Sequence, residues 1–61
     1  MQTNKEIAAL ETALADYRNN VRVFTSGIVK PRVGELAQNY LCIARLQVKI
    51  AKAYAQQVAA Q

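Results

Sequence analysis

Few side chains in this 61-residue chain are equipped for chemistry. Glu6, Glu11, Asp16 and Glu35 are its four acids, Cys42 is its one thiol, and histidine is absent. General acid/base catalysis and two-carboxylate metal binding need carboxylates brought together on one face. The spacing of these four on helices does not do so. A nucleophilic thiol needs a base beside it. Arg45, one turn from Cys42, is a cation of the kind that lowers a thiol pKa, yet no imidazole exists to take the proton, so Cys42 reads as a tolerated surface cysteine on the polar arc of a helix. One cysteine and no histidine also remove the usual zinc ligand sets and any intrachain disulfide. No glycine-rich phosphate loop is present. The sequence therefore predicts no catalytic residue, no metal, no cofactor and no small-molecule substrate, and a protein that is not an enzyme.

Binding chemistry is better represented. The formal charge is +4, which favours anionic partners without choosing among them. Arg45, Lys49 and Lys52 share one face at helical spacing, with Arg18 and Arg22 earlier and Lys30 and Arg32 between. Such a stripe is the candidate nucleic-acid contact, because cations on a rigid helix release counterions when they track phosphates. The competing reading is a solvated helix face, favoured because no base-reading motif accompanies the charges. Tyr17, Tyr40 and Tyr54 are able to stack on bases, but their periodicity assigns them to packing.

Two helices must position these groups. Thr3 and Glu6 form a capping-box pattern, with Asn4 the rival cap. Ile7, Leu10, Leu14, Tyr17, Val21 and Phe24 then make one apolar stripe. Gly27 is the expected C-terminal cap of this helix, with Ile28 folding back on the last turn. Pro31 fits the first position of the next helix, whose first turn Gly34 weakens. The sequence thus predicts a single domain: helix one over about 4–26, a connection over 27–30 and helix two over about 31–60.

Helix two carries two apolar seams. Leu36, Tyr40, Ile43, Gln47, Ile50 and Tyr54 form the first, and fold back in register on the stripe of helix one. Ala37, Leu41, Ala44, Val48, Ala51, Ala55 and Val58 form the second, which has no counterpart in the chain and is the predicted protein interface. Gln47 in the first seam either fixes register or reaches water at its edge. Gln38, Cys42, Arg45, Lys49, Lys52 and Gln56 make the polar arc. The fold class is all-α, an antiparallel two-helix hairpin expected to assemble into a four-helix bundle or larger helical assembly.

A chain this short buries too little surface to be comfortably stable alone and usually needs a staple or an oligomer. With disulfide and metal set aside, the partner is a second copy or a larger protein. The functional expectation is a helical interaction protein acting as an adaptor, an inhibitor or a small structural subunit, of the size common among phage and plasmid products. The alternative is a small basic RNA- or DNA-binding regulator acting as a dimeric four-helix bundle. The lone thiol and lack of an evident export signal place it in the cytoplasm, or in a virion or host cell if phage-encoded. No run long enough to span a bilayer exists, and a helix lying on a membrane is the weakest reading, since the apolar face is rich in alanine and lacks tryptophan.

Overall fold

In the computed structural model, which describes residues 4–60, the chain forms two helices, α1 (Asn4–Thr25) and α2 (Glu35–Ala60). They pack against each other as an antiparallel hairpin, with no strand among the described residues. The all-α hairpin read from the two stripes is therefore correct. The molecule is a rod: its extents are 46 × 16 × 12 Å and its radius of gyration is 14.1 Å, against about 10.5 Å for a compact domain of this length. Two helices side by side have no third layer to enclose a centre.

The end of α1 follows the sequence closely. Arg22 sits in the last turn, where the helix dipole favours a cation. Gly27 takes a φ of +85°, the left-handed conformation that ends a helix cheaply only when no Cβ is present. The Ser26 amide donates to the Arg22 carbonyl at 3.0 Å, and the Ser26 hydroxyl donates to the Val23 carbonyl at 2.6 Å. Ile28 does not fold back. It is 85% exposed, and its amide donates to Ser26 Oγ at 3.4 Å, so the chain leaves the cap towards solvent. At the other end of α1, Thr3 of the expected capping box lies outside the described residues.

The start of α2 differs from expectation. The helix begins at Glu35, four residues after Pro31, because Gly34 has a φ of +82° that no helical residue can hold. Gly34 is the third residue of a turn in which the Glu35 amide donates to the Arg32 carbonyl at 3.0 Å; a positive φ there is the type II signature. Glu35 then reaches back, its Oε1 accepting from the Arg32 amide at 3.2 Å. This carboxylate satisfies a donor that the turn would otherwise leave free, in the manner of a capping box.

The packing face of α1 is the expected stripe: Ile7 is buried at 4% exposure, and Leu10, Leu14, Tyr17, Val21 and Phe24 are half-buried. On α2 the packing face is rotated from the predicted one. Leu36, Ile43 and Ile50 face α1 as expected, but the intervening positions are Asn39, Leu46 and Ala53, with Gln57 continuing the row. Tyr40, Gln47 and Tyr54 are exposed instead. The physical reason is local. Leu46 offers apolar area where Gln47 would bring an amide needing partners, and Ala53, 1% exposed, is small enough to admit a close approach of the helices. Gln47 accordingly fixes no register and reaches water, the second of its two readings.

Denaturant unfolding should resolve this rotation. Ile7→Ala is expected to cost about 2–4 kcal/mol, whereas Gln47→Ala should stay within about 0.5 kcal/mol of the parent. A large loss at Gln47 would restore the original seam.

Candidate helix-docking face

With α1 covering one side of α2, the second seam is left bare. Ala37, Leu41, Ala44, Val48, Ala51, Ala55 and Val58 are all exposed, Val48 at 54% and Val58 at 73%. Tyr40 and Tyr54, displaced from the core, line its border with about half of each ring exposed. Each residue advances about 100° around the helix, so the observed core row and the bare row are centred about 140° apart. The predicted rows were only about 90° apart. The correction moves the bare row away from α1, onto a nearly opposite side of α2.

Polar contacts between the helices hold α2 at this rotation. Buried Asn39, 7% exposed, donates through Nδ2 to the Glu35 carbonyl at 2.8 Å, and its Oδ1 accepts from Asn20 Nδ2 at 3.5 Å. At the open end of the hairpin, Gln57 Nε2 donates to Asn4 Oδ1 at 2.6 Å. Between them, the Tyr54 hydroxyl donates to Glu11 Oε1 at 2.5 Å. Among the described residues no buried side-chain polar atom lacks a partner. Neither Asn20 nor Asn39 received a role from the sequence; an Asn on each helix at the distance from the turn that pairs them was the available signal.

Cys42 is also corrected. It is half-buried rather than on the solvent arc, and Tyr17 packs beside it. The Tyr17 phenol is held above its ordinary value of 10.0, first by a side-chain hydrogen bond with Cys42, then by the charge interaction between the two groups and by desolvation. The Tyr54 phenol is raised above 10.0 as well, by its hydrogen bond to Glu11, by that carboxylate's charge and by desolvation.

The cations fall where the pattern put them. Arg45, Lys49 and Lys52 are exposed, and α2 carries no acid after Glu35. Lys49 and Lys52 border an open furrow between the helices whose α1 side is Glu6, Ala9 and Leu10. The opposite furrow is bordered by Glu11, Arg18, Asn19 and Arg22, and Arg22 Nη2 donates to Asn19 Oδ1 at 2.6 Å. Among the described residues no group of three or more histidine, cysteine or acidic side chains is placed to hold a metal ion, and no helix is long and apolar enough to cross a membrane. At the hairpin tip, Ile28 and Val33 stand almost fully in water beside Lys30 and Arg32, an exposure the sequence did not announce.

No protein-family model, curated protein or solved structure matches this chain. What the fold defines is a class, the antiparallel two-helix hairpin, here with a row of exposed apolar residues along α2.

A pH dependence follows from the two phenols. Because both folded-state values lie above the unfolded one, their contribution is fully present below pH 10 and is lost as pH rises through the folded values. Stability should therefore fall on the alkaline side, and Tyr54→Phe should shallow that fall. Tyrosinate absorbance of the folded protein should show Glu11→Gln moving the Tyr54 titration back towards 10.

Proposed function

We propose that this protein is a non-enzymatic helical interaction module whose α2 takes another helix along its bare face. It serves as an adaptor, an inhibitor or a small structural subunit, by self-association, by docking on a larger protein, or both. One observation carries the reading: an unbroken row of seven exposed apolar residues from Ala37 to Val58, on a hairpin whose own buried apolar side chains are only Ile7 and Ala53 among the described residues. Single exposed apolar residues are ordinary, but a contiguous strip marks a contact surface. The alanines at 37, 44 and 51, one heptad apart, let a partner helix approach at the short end of the usual interaxial range.

The test is a charge placed in the row. Ala44→Glu or Ala51→Glu should leave the circular dichroism helical while abolishing self-association and the retention of any protein that co-purifies with the tagged parent from its native host. Unchanged native mass and an unchanged set of co-purifying proteins would remove the reading.

A second reading has its own support, the exposed Arg45, Lys49 and Lys52 on a helix that carries no acid after Glu35. On it the basic face of a dimer holds RNA or DNA. Three phosphate contacts would give a slope of about −2 to −3 in log affinity against log salt, and Lys49→Gln should reduce that slope by about one unit. Absence of retardation at low ionic strength eliminates this reading and leaves the first untouched.

A further inference from the structure

The geometry points to α2 of a second copy as the helix that covers the bare face, running antiparallel about a two-fold axis at Val48. The inference rests on the reading that this face is a docking surface and names its occupant. Its first support is self-complementary size. An antiparallel mate centred on Val48 sets Ala37 against Val58, Leu41 against Ala55 and Ala44 against Ala51 of the second copy, and Val48 against itself. The large side chains of the outer layers thus each meet a small one. A parallel mate would leave the central layers unchanged in size but set Leu41 on Leu41 and Val58 on Val58 with alanine on alanine at 37 and 55, crowding and emptying the outer contact.

The second support is area. The row from Ala37 to Val58 runs roughly 32 Å at 1.5 Å per residue, and a face about 10 Å wide gives roughly 600 Å² over two copies. The half-exposed rings of Tyr40 and Tyr54 add roughly 100 Å² each on both copies. The total, roughly 1,000 Å², reaches the lower bound of a specific interface, so the dimer is reversible rather than obligate.

Rotation then decides the shape. With the two rows about 140° apart, α1 of one copy does not meet α1 of the other, and four helices form a shallow layer in the order α1, α2, α2, α1. A closed square bundle needs rows about 90° apart and would turn Arg18 and Glu11 into a contact between the two α1 helices, burying charge at a cost. The layer leaves them in water. Its one electrostatic liability is on the outer flank, where Arg45 of each copy lies beside Lys52 of the other. Screening relieves such exposed like-charge pairs, so the dimer tightens with salt, whereas an acidic protein on the same face would bind more weakly.

Disulfide trapping tests the axis. In a Cys42→Ser background under mild oxidation, Val48→Cys should self-crosslink. Leu41→Cys should not by itself, but should crosslink when mixed with Ala55→Cys. Sedimentation equilibrium of the parent should move from 6.8 kDa towards twice that mass with concentration, the dissociation constant falling about fivefold between low and high salt. Equal self-crosslinking at 41 and 48 overturns the antiparallel axis. A monomer at every concentration and salt, with no trapping at 48, overturns the second copy as occupant. In that case loss of a co-purifying host protein in Ala51→Glu would still uphold the docking face, and retention of it would sink both.

Discussion

The rotation of α2 about its own axis is the constraint on which the rest of this structure depends. The long helix has apolar side chains around well over half its circumference, so hydrophobicity alone allows several arcs to face α1. What selects one is the cost of the alternatives. Turning α2 by about 50° to bring Tyr40, Gln47 and Tyr54 inward would bury an amide and two phenols where Leu46 and Ala53 now sit, and each polar group would need a partner inside a contact only one side chain deep. In the observed rotation Gln47 is in water, the Tyr54 hydroxyl reaches Glu11, and Asn39 finds both of its partners. The bare face is a consequence of that choice.

The two ends of the hairpin are fixed by different chemistry. Near the tip, two glycines with positive φ set where the helices stop and start, and the bond from Asn20 Nδ2 to Asn39 Oδ1 ties the first turns of α2 to α1. A hydrogen-bonded asparagine adds modest net stability but discriminates against slipped registers, because a slip removes Asn20 and leaves the buried Asn39 Oδ1 without its donor. At the open end the work passes to the buried side chains of Ile7 and Ala53 and to the Gln57 to Asn4 bond. Polar specification near the turn and apolar closure at the far end together define one register along a rod that has no central core.

The legible part of the sequence was the part where one reading of the period exists. The α1 stripe has a single apolar arc, so every residue assigned to it is on the packing face, and Gly27 ends the helix as its lack of a Cβ suggests. On α2 two interleaved rows share Leu36, Ile43 and Ile50, and they differ only in whether the intervening position is 39, 46 and 53 or 40, 47 and 54. Aromatic size argued for the second row; small size at 53 and the amide at 47 argued for the first and prevailed. Gly34 misled for a related reason: a glycine near a proline reads equally as a weak first turn or as a turn of its own, and only φ separates them. The residues of the second α2 seam are exposed, at an angle to the core wider than the one expected.

If the bare face takes another helix, as proposed, its composition suits both the covered and the uncovered state. A hairpin with so little buried apolar surface gains stability from anything that binds its folded form, by about 2.7 kcal/mol at a hundredfold excess over the dissociation constant, so an uncovered face is useful only if the helix survives while uncovered. Alanine meets both demands. It is the strongest helix former and exposes little apolar area when wet, yet it brings two backbones close when covered. Leucine at all seven positions would deepen the contact and also present a continuous greasy strip prone to unspecific association. Leu41, Val48 and Val58 are spaced among the alanines so that the row contains both bumps and hollows, and on the proposed reading shape, rather than hydrophobicity alone, would discriminate among partner helices.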